Sequence, residues 1–273
     1  MKTGKIIREG TTHVNKDEIN KYKDFEEVVI PDGVTTIGRG AFSNCSSLTS
    51  ITIPSSVTSI GDSAFSNCSS LTSVIIPNSI TSIGFQAFYK CSSLTSIIIP
   101  DSVTSIGDEA FAVCSSLASI TIPDGVTSIG RYAFSYCSQL RYNTYDNAAY
   151  LGNSDNPYIV LVKTNDTSIS SCEIHSNCRV IAFYAFSECS NLTTITIPDS
   201  ITSIAKGAFS NCSSLTSITI PSSVTSIGNR AFNECKKIKN VYYSGSENQW
   251  NNIEIGNDNY CLKNATIHYN HKC

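Results

Sequence analysis

Charge is scarce in this chain, and so are tryptophan, methionine and long apolar runs. Only 15% of the 273 residues are Asp, Glu, Lys or Arg, the formal net charge is -3, and no basic block occurs. A nucleic-acid partner is excluded on that ground, because Lys and Arg clusters must replace the counterions on phosphate. The longest apolar runs, such as Ile159 to Val162, fall far short of the roughly 20 residues that cross a bilayer. No membrane span is expected. Residues 1–9 have the basic start of a secretory signal without the apolar stretch or the cleavage site that follow one. Either the protein stays inside the cell or a signal lies outside this chain.

What the chain has in abundance is repetition. Aligned on Ala-Phe-x-x-Cys, it shows Cys45, Cys68, Cys91, Cys114 and Cys137 at steps of 23, then Cys189, Cys212 and Cys235 at the same step. One unit stands for all eight. Leu48, Ile51 and Ile53 precede Pro54, Val57 and Ile60 precede Gly61, and Ala64, Phe65 and Cys68 close the unit. Ile51 and Ile53 alternate with Ser50 and Thr52, the period of a strand with one face buried. Pro54 and Gly61 read as corners, and Ala-Phe-x-x-Cys reads as a short helical or 3₁₀ turn. A unit of this size buries too few side chains to offset the entropy of ordering its backbone. Stability must come from stacking each coil on its neighbours, as in a repeat solenoid.

Two departures break the register. The step from Cys137 to Cys189 is 52 positions, which divide into 23 and 29. Ile169, Cys172, Ile174, Cys178, Ile181 and Ala182 fall on the core positions of a degenerate unit, so residues 140–168 form a single oversized coil. Within it, Ala148 to Leu151 and Tyr158 to Val162 flank Gly152-Asn153-Ser154-Asp155-Asn156-Pro157, the pattern of a hairpin around a turn. At the ends, charged residues 1–24 read as an N-terminal cap that covers the last unpaired strand groups. Residues 244–273 read as a C-terminal cap, with Trp250 sealing the apolar layer.

The units, for instance Leu71 to Cys91 with its Ile-Pro, Thr-Ser-Ile-Gly and Ala-Phe pieces, resemble the BspA-like, or Treponema-type, class of leucine-rich repeats. The resemblance covers roughly residues 25–243, and Val241 to Trp250 resembles the ending of many such proteins. It implies a leucine-rich-repeat-like, β-rich solenoid with one short strand and a short helical or 3₁₀ turn per coil. It also implies a place at the cell surface or in secreted form, with a role in adhesion and in contacts with host proteins or other cells.

No constellation for catalysis is legible. The four His residues are scattered, and no acid, base and nucleophile converge along the repeat, so a non-enzymatic protein without a cofactor is expected. The eight column cysteines, Cys45, Cys68, Cys91, Cys114, Cys137, Cys189, Cys212 and Cys235, read as a buried stack of free thiols. Cys172 and Cys178 replace Ile and Val in the core, while Cys261 and Cys273 fall outside the column. No Cys-x-x-Cys pair or tetrahedral ligand set marks a metal site. His268, His271 and Cys273 read as part of a frayed tail, and His175 as a turn residue in the place of the corner proline.

Function is therefore sought on the surface, as recognition of a protein partner by a chain expected to be monomeric. The outward strand positions are rich in Ser and Thr, apart from Ile75 and Ile98 on neighbouring coils. Seven of the 13 tyrosines lie between residues 132 and 184. Tyr132, Tyr136, Tyr142, Tyr145, Tyr150, Tyr158, Phe183 and Tyr184 serve either as packing for the oversized coil or as binding side chains. The oversized coil is expected to carry the principal binding surface, with Ile75 and Ile98 as the next candidates. Carbohydrate binding by exposed tyrosines is the alternative.

Overall fold

The computed structural model describes residues 5–7, 10–19 and 24–271. The chain forms two units, Met1–Arg141 and Tyr142–Cys273, and both are repeat solenoids.

In the first unit each coil carries two short strands rather than one. Lys5–Ile6, Glu27–Val29, Ser50–Thr52 and Ser73–Ile75 pair in that order as a parallel sheet, and Ser96–Ile98 pairs with Ser119–Thr121. The second ladder runs through His13–Val14, Thr36–Ile37 and Ser59–Ile60, and again through Ser82–Ile83, Ser105–Ile106 and Ser128–Ile129. Ser50 faces Ser73, Ile51 faces Val74 and Thr52 faces Ile75, so partners are one 23-residue period apart. The segment expected as an N-terminal cap takes part in both ladders, since Lys5 faces Val28 and His13 faces Thr36.

The glycine before each turn has a different reason from the one its corner position implied. A Cβ on Gly61 would stand 2.6 Å from the Arg39 nitrogen, and one on Gly130 2.4 Å from the Asp108 nitrogen. The preceding coil comes too close for a side chain. Proline closes the other corner, with Val57 N–H donating to the Pro54 carbonyl at 3.0 Å. His175 takes that same place, accepting from Cys178 N–H at 2.8 Å.

The Ala-Phe-x-x-Cys stretch is a run of turns whose hydrogen bonds alternate. Ala64, Ser66 and Cys68 N–H donate three residues back, to Gly61, Ser63 and Phe65, at 3.1 to 3.2 Å. Ser63, Phe65 and Asn67 N–H instead donate to Phe85, Ala87 and Tyr89 of the next coil, at 2.7 to 2.8 Å. Only alternate residues make 3₁₀-type bonds, because Ser63 and Asn67 sit in the left-handed region at φ 54° and 60°. These flips turn every second N–H along the solenoid axis and add a third ladder of inter-coil bonds.

Inside, the phenylalanines stack. Phe42, Phe65, Phe88, Phe111 and Phe134 lie nearly parallel with centroids 5.1 to 5.9 Å apart. Phe186, Phe209 and Phe232 repeat the arrangement in the second unit.

The second unit opens with an antiparallel meander. Asn143–Tyr145 pairs with Ala148–Leu151, which pairs with Val160–Thr164. Val160–Thr164 then runs parallel to Val180–Ile181 and so joins the hairpin to the solenoid. At the far end Thr266–His268 pairs with Asn240–Tyr243 and extends the sheet by one more coil. The helix Glu247–Asn251 begins with a capping box between Ser246 and Gln249. Its Trp250 is buried edge-on against Tyr243, with ring centroids 5.2 Å apart.

Candidate interaction surface

Position decides which side chains are available to a partner. Hydroxyls at several recurring positions of the coil are spent on the solenoid itself. Thr58, Thr104 and Thr127 Oγ1 donate to the carbonyls of Thr35, Thr81 and Thr104, one coil back, at 3.2 to 3.3 Å. Ser92, Ser115 and Ser138 do the same to Ser69, Ser92 and Ser115. A carbonyl has two lone pairs and the ladder uses one, so a hydroxyl at the next coil takes the second. This is the physical reason for Ser or Thr at those positions.

The column cysteines follow the same logic indoors. Cys68, Cys91, Cys114 and Cys137 Sγ donate to the carbonyls of Phe42, Phe65, Phe88 and Phe111 at 3.1 to 3.2 Å. Cys212 and Cys235 repeat this in the second unit. Burial pushes the Cys68, Cys91 and Cys114 thiols well above the ordinary range. Cys45 and Cys137, nearer the ends of the first unit's column, are pushed up to about 11, again by burial first. Cys261 also belongs to the column, because its Sγ donates to the Phe232 carbonyl at 3.1 Å. The sequence spacing hid it, since the last coil is longer than the repeat.

Around the oversized coil the aromatic side chains pack on one another. Tyr158 stacks on His175 with centroids 3.9 Å apart, and Tyr145 meets the same ring edge-on at 4.8 Å. Tyr150 is fully buried edge-on to Tyr158, and its hydroxyl accepts from the His175 N–H at 3.2 Å. Tyr150 therefore cannot face a partner, which corrects its place among the binding candidates. The meander turns it inward, onto Cys172 and Cys178 in the core. The Glu173 carboxylate holds the half-buried Tyr145 hydroxyl protonated above its usual range. Tyr142 and Phe183 are also half-buried, and Lys163 lies 5.0 Å from the Tyr142 ring. Tyr184 lies across Gly207, where a Cβ would meet its ring at 2.4 Å. Within the first unit, Tyr132 and Tyr136 remain exposed, at 49% and 82%.

On the strand face of the first unit, Ile75 and Ile98 are exposed at 72% and 71%, on strands that lie side by side. The flanking coils present Thr52 and Thr121 at the same position. Val29, two coils before Ile75 in the same column, is exposed at 44% and was not singled out from sequence. Its signal was its place in the ladder, which the irregular N-terminal segment obscured. In the tail, His268 and His271 flank the Tyr242 ring at 4.9 and 4.8 Å, while Cys273 lies outside the described residues. Among the described residues no three His, Cys, Asp or Glu side chains are placed to hold one metal ion, and no helix is long and apolar enough to cross a membrane.

The profile of the BspA type leucine-rich repeat region matches residues 13–141 and 164–272. The chain belongs to that family. The interval between the two matches falls within the oversized coil. Among solved structures, the chain is similar to a leucine rich cell surface protein from Faecalibacterium prausnitzii A2-165, with 28% identity, 93% of this chain and 90% of that chain covered, and a TM-score of 0.47. It is similar to a leucine-rich repeat protein from Eubacterium ventriosum, with 26% identity, 98% and 72% covered, and a TM-score of 0.42. It is also similar to the T. pallidum leucine-rich repeat protein, with 25% identity, 78% of each chain covered, and a TM-score of 0.40. No curated protein is significantly similar in sequence.

Proposed function

We propose that the chain is a non-catalytic recognition scaffold that adheres to a protein partner through the strand face of its first unit, at a cell surface or in secreted form. The observation that carries this reading is the pair Ile75 and Ile98, each more than two thirds exposed on adjacent coils. The solenoid gains nothing from them there. Thr52 and Thr121 fill the same position on the flanking coils and satisfy the strand equally well. Burying the two side chains against a partner contributes roughly 1.5 to 3 kcal/mol each. Val29 extends the apolar column and supplies further contact area. Membership of a repeat family supports the reading, because stacked coils present one continuous face while their interior is fully used for packing.

The test compares adhesion of the purified chain and of an Ile75→Ser/Ile98→Ser variant to intact, protease-treated and periodate-treated cell surfaces. The variant should keep its far-UV circular dichroism and its melting temperature and lose adhesion. Protease treatment should remove the adhesion of the unaltered chain, and periodate should not. Unchanged adhesion of the double variant would place the anchors elsewhere.

A further inference from the structure

Across four consecutive coils of the first unit, the outward face of the strands reads the same in both directions. One row runs Thr52, Ile75, Ile98, Thr121, and the other Ser50, Ser73, Ser96, Ser119. The two halves meet where Ser73–Ile75 lies beside Ser96–Ile98, with Thr95 N–H donating to the Thr72 carbonyl at 3.4 Å. Nothing in the repeat requires this symmetry, since each coil packs only on its neighbours. The inward residues of the same strands, Ile51, Val74, Ile97 and Ile120, do not share it.

A face that reads the same both ways is complementary to itself. A two-fold axis running along the strands, midway between Ile75 and Ile98, sets the strands of a second copy parallel to the first and its coils in reverse order. Ile75 then meets Ile98 of the second copy, and Thr52 meets Thr121. A two-fold interface makes every such contact twice. Four isoleucines form its apolar centre, and the Ser and Thr rows form a polar rim around them.

The charges beside this face obey the same axis. Past the corner proline of each of the four coils, the exposed residues are Ser55, Asn78, Asp101 and Asp124. The axis sets Asp101 against Asn78 and Asp124 against Ser55, so no carboxylate meets another and each meets a side chain able to donate. A partner of any other kind would need no such order in the rows. The strip is small, roughly 19 Å by 10 Å for four coils of three-residue strands, whereas stable complexes bury about 800 Å² per partner. Pairing is therefore weak between dilute chains and becomes strong where many copies engage at once.

We propose that the partner of the strand face is a second copy of this chain, docked about a two-fold axis between Ile75 and Ile98, so that adhesion is homophilic. This rests on the strand face being the adhesive surface. The test uses beads coated with the purified full chain and no other protein, together with sedimentation equilibrium of the free chain. The beads should cluster, and the free chain should self-associate with a dissociation constant weaker than about 1 μM. Ile75→Lys and Ile98→Glu should each keep their melting temperature and reduce clustering at least about tenfold, because each sets a charge against isoleucine. Beads carrying Ile75→Lys mixed with beads carrying Ile98→Glu should cluster within about fivefold of the unaltered chain, because the two new charges then meet across the axis. A mixture no better than either variant alone would overturn the two-fold pairing. If coated beads do not cluster while Ile75→Ser/Ile98→Ser still loses adhesion to cell surfaces, the strand face stands as the adhesive surface, its partner is a different protein and the homophilic proposal is overturned. Unchanged adhesion of that double variant would overturn both.

Discussion

The regular coils of the first unit and the meander that opens the second solve the same problem, satisfying backbone groups beside a stacked core, by opposite means. In a regular coil, strand partners lie one period away, as Ser50 to Ser73 and Ser105 to Ser128 do. In the meander the partners are local and antiparallel, Tyr145 with Ala148 and Tyr150 with Leu161. Local pairing frees the chain from the 23-residue register but forfeits the columns. The aromatic group of Tyr145, Tyr150, Tyr158 and His175 takes their place. Identical neighbours stabilise the first region, and one particular set of side chains stabilises the second.

Deletion separates the two principles most sharply. Removing residues 71–93 from the regular region joins equivalent positions and should leave a shorter solenoid with a cooperative thermal transition. Removing residues 71–82 sets strands against turns and should abolish the transition. Circular dichroism melts of the two proteins check this, and similar melts would mean that the coils are not stacked in register.

Alkali should act next most strongly. Among the described residues ten cysteines are buried. Burial raises Cys45 and Cys137 to about 11 and Cys178 to about 12. A thiol raised in the folded state contributes stability that is intact below its unfolded value, about 8.5, and is lost as pH rises through the folded value. Each such thiol then withdraws about 1.4 kcal/mol per pH unit. Stability should be flat up to about pH 8 and fall steeply above pH 9, as urea midpoints across pH 7 to 11 would show. A flat profile would mean that the thiols already reach solvent.

Phe88→Ala opens a gap between two stacked rings and should cost about 3 to 5 kcal/mol. Tyr158→Ala removes a half-buried ring from the meander, so its cost should be smaller, about 1 to 2 kcal/mol. Denaturant unfolding of both variants ranks them, and a reversed order would make the meander the tighter region.

The smallest effects concern single thiols. Cys91 donates across coils to Phe65, whereas Cys178 bonds locally to the Val180 carbonyl at 3.4 Å on a core position filled by Val or Ile in other units. Cys91→Val should destabilise by about 1 to 3 kcal/mol. Cys178→Val should fall within about 1 kcal/mol of neutral. Equal costs would erase the distinction between thiols that bond across coils and the locally bonded Cys178.

Much of this fold was legible in the sequence for one reason. Parallel stacking sets each residue against its equivalent one period on, so a column of like residues in sequence is a column in space. That is why the eight cysteines, the phenylalanine ladder and the outward pair Ile75 and Ile98 could be placed by counting. The left-handed slots were marked more faintly, by the recurrence of Asn44, Asn67 and Asn211 before cysteine, and the second strand of each coil is too short to show a period.

Where the register breaks, counting stops working. Whether Tyr150 faced the core or a partner depended on how the meander folded back, with a register shift between Ala149 and Tyr150. Cys261 joined the column despite an irregular spacing, because the last coil absorbs its extra residues in the helix Glu247–Asn251 and the turn that follows. The sequence by itself determined the repeat and its buried columns, because these follow from periodicity. Only the tertiary structure decided which aromatic side chains were spent on packing and which were left to solvent, because exposure in a non-repeating segment is set by contacts between residues that share no spacing rule.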